Sequence, residues 1–191
     1  MMDRSQLKTD KNWTLFLDRD GVINNKLPGD YVKNIEEFEF LPLVKESIAM
    51  LNRYFGWIIV ITNQQGIAKG IMRTEDVNKV HEFMNSEINK SGGSLQAIYF
   101  CPDLDGGGSK ERKPETGMAL KAKKDFPEID FSKAIMVGDS FTDMEFGKKL
   151  NITTVFIQKE KDPDLYNNPL IDYVFSSLKE FSDFIYESNK S

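Results

Sequence analysis

The feature that most constrains the fold of this chain is the alternation of short, continuously apolar segments with longer amphipathic ones. The apolar segments are predicted to be strands, and they cover Thr14–Leu17, Trp57–Thr62, Ala97–Phe100, Ala134–Val137, Thr153–Ile157 and Asp172–Phe175. They lack the apolar and polar alternation of strands with one solvated face, so both of their faces are expected to be buried. This pattern predicts an α/β protein with a mostly parallel sheet and helices on both faces.

The helices between these strands are predicted from apolar positions three and four apart and from residues that start helices. Pro42 is predicted in the first turn of one helix, and Thr74 at the N-cap of the next. Ser140 and Asp143 have the spacing of a capping box, and so do the residues at 177 and 180. The helices therefore fill the intervals between strands, as in a fold built from β-α-β units.

The length of the chain and the distribution of turn-forming residues predict one domain over residues 1–191. Residues 1–12 are predicted to form a polar tail. Two loop-like segments, 24–34 and 101–117, follow the first and third predicted strands and interrupt the alternation. Ligands of open α/β sheets bind beyond the carboxyl ends of the strands, so both segments are interpreted as insertions around an active site.

Composition argues against several classes of partner. The net charge of −5 and the pI of about 5.1 disfavour a nonspecific nucleic-acid binder, which needs a basic face. The polar start of the chain has no signal-peptide core, and the longest apolar run is too short to span a membrane. Cys101 is the single cysteine, which fits a reducing compartment. We expect a cytoplasmic monomer without nucleic-acid or membrane partners.

Polar residues follow several predicted strands at their carboxyl ends, which meet at one edge of a parallel sheet. They are Asp18 and Asp20 after the first strand, Thr62, Asn63 and Gln64 after the second, Arg112 and Lys113 in the loop after the third, and Asp139 and Ser140 after the fourth. Taken singly, each has an ordinary interpretation as a helix cap, a turn residue or a solvated charge. Together, the crowded carboxylates need a counter-cation, and their hard oxygen ligands suit Mg²⁺. The edge is therefore predicted to be a Mg²⁺ site that favours binding of a phosphate.

Four motifs in these positions resemble those of the haloacid dehalogenase (HAD) superfamily of phosphatases. They are LDRDGVIN, VITNQQG, RKP and MVGDSFTDM, and the resemblance extends over residues 14–158. Within the superfamily, the stretches GDYV, TNQQGIAKG and RKPETGM are similar to the heptose-bisphosphate phosphatase branch of subfamily IIIA. Histidinol-phosphate phosphatases are close relatives of that branch. The resemblance implies a Rossmann-like three-layer α/β/α sandwich without a large cap domain.

The resemblance also implies catalytic roles for individual residues. Asp18 is expected to attack phosphorus and form an aspartyl-phosphate. Asp20 is expected to protonate the leaving oxygen and then to activate the water that cleaves this intermediate. Thr62 and the amide of Asn63 are expected to hold phosphoryl oxygens, and Lys113 to neutralise negative charge.

The implied metal site uses residues from two strand ends. Asp139 is expected to bind Mg²⁺ together with Asp18 and the backbone carbonyl of Asp20. Ser140 is expected to contact the metal through a water molecule. Asp143 is expected to hold neighbouring site residues in place without binding the metal itself.

The rest of the substrate is expected to be contacted by side chains of the surrounding loops. A guanidinium can grip a second anionic group, so Arg112 is the predicted selector of the substrate. Gln64, Lys26 and Tyr31 are further candidates for substrate contact. For Lys26 and Tyr31, exposed loop residues without a role are the alternative.

One loop departs from the family pattern. Relatives often carry a zinc loop of Cys and His ligands at the positions that here are Cys101, Asp103, Ser109 and Glu111. One cysteine with two carboxylates is a poor tetrahedral zinc site, so no structural zinc is expected. The single histidine, His81, is predicted to pack half-buried on a helix rather than to act as a catalyst.

The leading hypothesis is a Mg²⁺-dependent phosphatase for a small phosphorylated metabolite, most naturally a sugar phosphate such as D-glycero-D-manno-heptose 1,7-bisphosphate. Histidinol phosphate or another phosphomonoester is the alternative substrate. A DNA 3′-phosphatase is disfavoured because the chain lacks a basic tract. A non-enzymatic phosphorylation switch is disfavoured because it has no need of an acid/base at Asp20.

Overall fold

A six-stranded sheet forms the centre of the computed structural model, which describes residues 7–160 and 162–190. The strands are β1 (Thr14–Leu17), β2 (Trp57–Asn63), β3 (Ala97–Cys101), β4 (Ala134–Gly138), β5 (Thr153–Ile157) and β6 (Tyr173–Phe175). The helices are α1 (Val44–Leu51), α2 (Thr74–Lys90), α3 (Gly117–Asp125), α4 (Phe141–Lys149) and α5 (Leu178–Lys190). Residues 1–6 of the predicted tail lie outside the described residues.

The strand order is β3-β2-β1-β4-β5-β6, and each pair of neighbours is parallel. The sheet was expected to be mostly parallel, and over the described residues it is wholly so. The order reverses between β1 and β4, which opens a crevice beyond the carboxyl ends of these two strands. Leu17 pairs with Val60 on one side and Val137 on the other, so Asp18 leaves the sheet between β2 and β4.

Buried side chains on both faces explain why the strands lack polar alternation. On one face Leu15 and Leu17 pack with apolar residues of α1, α2 and α5. On the other face Phe16 packs with residues of α3 and α4. Side chains of a strand alternate between the two faces of a sheet, so a strand covered on both sides must be apolar throughout. The predicted three-layer α/β/α arrangement is confirmed, and the described residues contain no large cap domain.

The strand predictions are confirmed with shifts of one residue at some ends, but two helix starts were wrong. Pro42 lies before α1, in a turn whose next residue, Leu43, has a φ of 59° and occupies the N-cap. Thr74 is the first helical residue of α2 rather than its N-cap. The amide of Arg73 donates to the Asp76 carboxylate at 3.0 Å, and this contact caps the helix one residue earlier than predicted.

The capping box at the start of α4 is confirmed, because the Asp143 carboxylate accepts from the Ser140 amide at 3.1 Å and the Ser140 side chain receives the Asp143 amide. The Ser140 hydroxyl also donates to Asp143 Oδ2 at 2.5 Å. The second box is only half formed. Ser177 Oγ accepts from the Glu180 amide at 3.1 Å, but the Glu180 carboxylate accepts from the amide and hydroxyl of Ser176. Within the described residues, none of the helices combines the length and apolarity that a membrane crossing requires.

Candidate active site

A buried lysine between two aspartates forms the centre of the crevice. Lys113 Nζ lies 2.9 Å from Asp18 Oδ1 and 2.5 Å from Asp143 Oδ1, and it donates to the carbonyl of Ile61 at 2.8 Å. Its side chain is only 2% exposed. A buried ammonium must be paired and hydrogen-bonded to remain charged. These contacts therefore hold a fixed positive charge directly against Asp18.

The charge balance around Lys113 remains negative. Burial raises the pKa of Asp18 to about 7, and Asp143 and Asp139 add to the rise while Lys113 opposes it. Burial alone would lower the pKa of Lys113, but the attraction of Asp143 and Asp18 outweighs burial and raises it. Two ammonium groups, Lys113 and the more exposed Lys26, thus face three carboxylates, and an additional cation would favour the ionised form of Asp18.

Asp18, Asp139 and Asp143 each present a carboxylate oxygen within 4.8 Å of the other two. Both oxygens of Asp143 are already engaged, one by Lys113 and one by Ser140. Asp143 Oδ1 has the ion pair with Lys113 but no hydrogen bond, whereas Asp139 Oδ1 is buried with neither among the described residues. Oxygen ligands of this kind fit Mg²⁺, so the residues present are suited to a divalent cation between Asp18 and Asp139.

Two neighbours restrict the space around Asp139. Gly21 has a φ of +87°, and a Cβ at this position would lie 2.2 Å from Asp139 Oδ2. Lys26 Nζ pairs with the same oxygen at 2.8 Å, although its side chain is 56% exposed. Burial raises the pKa of Asp139 despite this pairing. A cation bound at Asp139 Oδ1 would therefore share this carboxylate with Lys26 and be repelled by its ammonium.

Asp20 is held from behind by several donors. Arg19 Nη2 donates to both of its carboxylate oxygens at 2.9 Å, and Asn24 Nδ2 and Gln64 Nε2 each add a bond of 2.9 Å. Burial would raise the pKa of Asp20, but Arg19 and these hydrogen bonds outweigh it, so the pKa is lowered. Gln64 is fully buried and also donates to Thr62 Oγ1 at 3.0 Å. This position behind Asp20 differs from the substrate contact predicted for Gln64.

The loop that carries Lys113 is tied to the end of β2 by Asn63. Asn63 Nδ2 donates to the Lys113 carbonyl, and Asn63 Oδ1 accepts from the Lys113 amide, both at 3.0 Å. The reciprocal pair aligns the end of β2 with the loop that carries Lys113, although the two residues are fifty positions apart. Thr62 lies beside them and faces the cleft.

A cleft of about 230 Å³ lies above these groups. It is lined by every predicted site residue except Gln64, namely Asp18, Asp20, Lys26, Tyr31, Thr62, Asn63, Arg112, Lys113, Asp139, Ser140 and Asp143. A larger cavity of about 1170 Å³ shares Asp139 with the cleft, and its lining mixes apolar residues with polar and charged ones. Because the charged groups converge in the smaller cleft, the chemistry belongs there.

The segments 24–34 and 101–117 supply the rim of the cleft. Arg112 Nη1 donates to the Asp103 carbonyl at 3.3 Å, and its Nε lies 3.5 Å from Asp105 Oδ1. Tyr31 accepts a bond of 2.9 Å from Lys69 Nζ. Arg112 and Tyr31 are therefore both oriented by hydrogen bonds beside the cleft.

The positions of the zinc loop remain close together without their usual ligands. Cys101 Sγ donates to Asp103 Oδ2 at 3.5 Å and lies 3.6 Å from Ser109 Oγ. Ser109 Oγ in turn accepts from the amides of Glu111 and Arg112, at 3.2 and 3.4 Å. The Ser109 hydroxyl thus connects the two sides of this loop next to Arg112.

Sequence reasoning missed three residues of this region. Arg19 is fully buried and holds Asp20. His81 packs on α2 as predicted, but it is buried rather than half-buried and contacts Arg19. Lys69 reaches Tyr31 from the loop after β2. The sequence did contain a sign of the role of Arg19, because an arginine between two strand-end aspartates needs an anionic partner. Nothing in the sequence marked the other two contacts, which join distant segments.

Comparison with known proteins agrees with this geometry. A family described as HAD-hydrolase-like matches residues 111–181. The D-glycero-alpha-D-manno-heptose-1,7-bisphosphate 7-phosphatase of Campylobacter jejuni is 37% identical over 185 residues, which cover 94% of this chain and 99% of the relative. The chain belongs to the HAD-like heptose-bisphosphate phosphatase family. It is therefore a phosphatase, a hydrolase of phosphoric monoesters.

Other members of the family show the same extent of similarity. The D-glycero-beta-D-manno-heptose-1,7-bisphosphate 7-phosphatase of Salmonella typhi is 32% identical over 184 residues, covering 92% of this chain and 96% of the relative. The crystal structure of D,D-heptose 1,7-bisphosphate phosphatase from B. bronchiseptica, complexed with magnesium and phosphate, superposes with a TM-score of 0.82. It is 27% identical, and the match covers 92% of this chain and 98% of that one.

Proposed function

We propose that this phosphatase hydrolyses a sugar bisphosphate, D-glycero-D-manno-heptose 1,7-bisphosphate, with Mg²⁺ as its cofactor. The observation that carries the proposal is the position of Asp18, at the end of β1, 2.9 Å from the Lys113 ammonium and beside Asp139. This is a nucleophile with a fixed cation and a second carboxylate for a metal. The relatives named for heptose bisphosphate align over nearly the whole chain, which supports the substrate class.

The reaction begins with Asp18 as the nucleophile. A carboxylate oxygen of Asp18 attacks phosphorus, the bond from phosphorus to the sugar oxygen breaks, and that oxygen takes a proton from Asp20. Arg19 lowers the pKa of Asp20 in the free protein, and the negative charge of the bound phosphate would raise it again and so favour the protonated acid. In the second step, water attacks the aspartyl-phosphate and gives its proton to Asp20. Inorganic phosphate leaves, and Asp18 and Asp20 return to their starting states.

Other side chains stabilise charge during these steps. Lys113 offsets the negative charge of Asp18 and of the bound phosphate from a position that burial and Asp143 keep fixed. The Thr62 hydroxyl and the Asn63 amide are placed at the cleft to hold phosphoryl oxygens. A Mg²⁺ ion held by Asp18, Asp139 and the Asp20 carbonyl, with Ser140 assisting through water, would supply the remaining positive charge.

The rim residues are proposed to recognise the rest of the sugar. Arg112 borders the cleft and can bind a second phosphate through two N–H groups. Tyr31 and Lys26 reach the cleft from the segment 24–34, and Lys69 orients Tyr31. Since relatives act on the alpha and on the beta anomer, the rim is the place where the anomer is selected.

A panel of phosphorylated substrates assayed with Mg²⁺ tests the proposal. It contains both anomers of heptose 1,7-bisphosphate, heptose 1-phosphate, heptose 7-phosphate, histidinol phosphate and a 3′-phosphorylated oligonucleotide. We expect the highest kcat/KM for one heptose bisphosphate, release of the 7-phosphate, and no turnover by Asp18→Asn. A higher kcat/KM for histidinol phosphate would contradict the substrate, and near-native turnover by Asp18→Asn would contradict the mechanism.

We also propose that the chain is a cytoplasmic monomer of one domain, that it binds neither nucleic acid nor membranes, and that its third-motif loop folds without zinc. The hydrogen bonds of Ser109 with the segment around Cys101 and Arg112 support the last point, because they already connect the loop. The acidic balance of the chain supports the absence of a nucleic-acid partner.

A further inference from the structure

We propose that Arg19 and His81 are positioning residues that hold the acid/base Asp20 in its catalytic place through a buried chain of hydrogen bonds. The chain starts on α2 with His81, passes through the Arg19 guanidinium, and ends on the Asp20 carboxylate. Neither Arg19 nor His81 lines the cleft. This inference rests on the role proposed above for Asp20.

The contact between His81 and Arg19 has a defined polarity. Arg19 Nη1 lies 3.1 Å from His81 Nε2, and a guanidinium can only donate. His81 Nε2 must therefore be the acceptor, with the ring neutral and its proton on Nδ1. Burial and the neighbouring guanidinium lower the pKa of His81 to about 3, in agreement with a neutral ring.

The position of His81 is itself fixed by packing. The residue is 6% exposed, and its ring meets the ring of Phe100 edge to face with centroids 5.5 Å apart. Phe100 belongs to β3, so helix and sheet together set the position of Nε2. A neutral acceptor at this position fixes the rotation of the Arg19 guanidinium about its long side chain.

The guanidinium transmits this orientation to Asp20. Arg19 is fully buried, and its Nη2 contacts both oxygens of Asp20 at 2.9 Å while its Nε lies 3.3 Å from Oδ1. Asn24 and Gln64 hold the same carboxylate at its sides. In a chain of hydrogen bonds whose middle residue is fully buried, each bond restricts the next, so loss of the His81 acceptor loosens Arg19 and then Asp20.

Loss of this orientation affects one part of the reaction most. Protonation of the leaving oxygen matters for a sugar alkoxide, which is a poor leaving group, and little for p-nitrophenolate, a good one. The constant kcat/KM covers only steps up to departure of the leaving group, because that departure is the first irreversible step. Misplacement of Asp20 should therefore lower kcat/KM for the sugar ester selectively.

The test compares kcat/KM for heptose 1,7-bisphosphate and for p-nitrophenyl phosphate in variants of His81. His81→Leu has no acceptor, and in His81→Asn the shorter side chain does not reach Arg19. For both variants we expect kcat/KM to fall by about tenfold or more for the sugar ester and by less than about threefold for the aryl ester. In His81→Gln, whose amide oxygen can replace Nε2, the ratio should return towards wild type. Equal losses on both substrates, or no loss, would overturn the proposal.

Two further variants separate this inference from the role of Asp20. Asp20→Asn removes the proton donor and should show the selective loss in full. If Asp20→Asn also leaves kcat/KM for the sugar ester unchanged, both the acid/base role of Asp20 and the positioning role of the network are refuted. If only the His81 variants leave it unchanged, the positioning role alone is refuted. Val80→Ala removes core contacts beside His81 on α2, so a selective loss in this variant would overturn the proposal by showing a packing effect.

Discussion

Replacement of Asp18 by asparagine should make the metal-free protein more stable at pH 8 while it abolishes turnover. Asp18 has a pKa of about 7 in the folded protein against an ordinary value of 3.8, chiefly because it is buried near Asp143 and Asp139. Between these two pH values the folded protein binds more protons at Asp18 than the unfolded chain does. The stability of the wild type therefore falls as the pH rises through this window.

The size of the effect follows from the shift in pKa. Each unit corresponds to about 1.36 kcal/mol, so ionised Asp18 costs the folded state at most about 4 kcal/mol at pH 8. Asparagine has nearly the same shape and carries no charge at any pH. We expect Asp18→Asn to raise the free energy of unfolding by about 2–4 kcal/mol at pH 8 and by less than about 2 kcal/mol at pH 5.

The assay is urea unfolding of both proteins at pH 5 and pH 8 with a chelator present, read by circular dichroism. The two proteins differ at one titrating side chain, so the change of their difference with pH reports on Asp18 and its immediate neighbours. Asp183→Asn on the exposed side of α5 is the matched control, and it should change stability by less than about 0.5 kcal/mol at either pH. The reasoning is refuted if Asp18→Asn is no more stable at pH 8, or if its advantage is as large at pH 5.

Three further results are expected. Addition of Mg²⁺ should raise the melting temperature of the wild type more at pH 8 than at pH 5, because the cation favours ionised Asp18. Asp139→Asn should remove this rise, and a rise that is independent of pH would contradict a metal site at Asp18 and Asp139. Lys26→Met should lower the Mg²⁺ concentration needed for half of that rise, since the Lys26 ammonium pairs with the Asp139 carboxylate and repels a second cation there. An unchanged Mg²⁺ affinity in calorimetric titration would contradict this prediction. Arg112→Ala should raise KM for the heptose bisphosphate by about tenfold or more and leave KM for the monophosphates nearly unchanged. Arg112→Lys should give a KM between those of the wild type and Arg112→Ala. Equal effects on bisphosphate and monophosphates would exclude a contact of Arg112 with the second phosphate.

Most of the fold could be predicted from the chain because the strands had to be apolar throughout. A strand such as β4, covered by helices on both faces, has a composition that marks its position even when nothing else about the fold is known. Helix starts were less predictable. Thr74 is a good capping residue by itself, but the carboxylate of Asp76 reaches back to Arg73 and moves the start by one residue.

In the candidate site too, some features could be predicted from the sequence and others could not. Asp18, Lys113 and Asp139 stood out because each follows a predicted strand, and the ends of parallel strands must meet at one edge. Gln64 was expected at the substrate for the same reason but lies behind Asp20. Position along the chain shows that a residue comes to the edge of the sheet, but it does not show whether the side chain faces the cleft or the core.

The sequence alone determined the class of fold, the four motifs and the crowding of carboxylates at the carboxyl edge, because these follow from local composition and strand polarity. Tertiary structure alone decided the charge state and partners of each group. The ammonium of Lys113 fixed between Asp18 and Asp143, and the chain from His81 through Arg19 to Asp20, join segments far apart along the chain. Burial and distance set the energies of such contacts, and both exist only after the chain has folded.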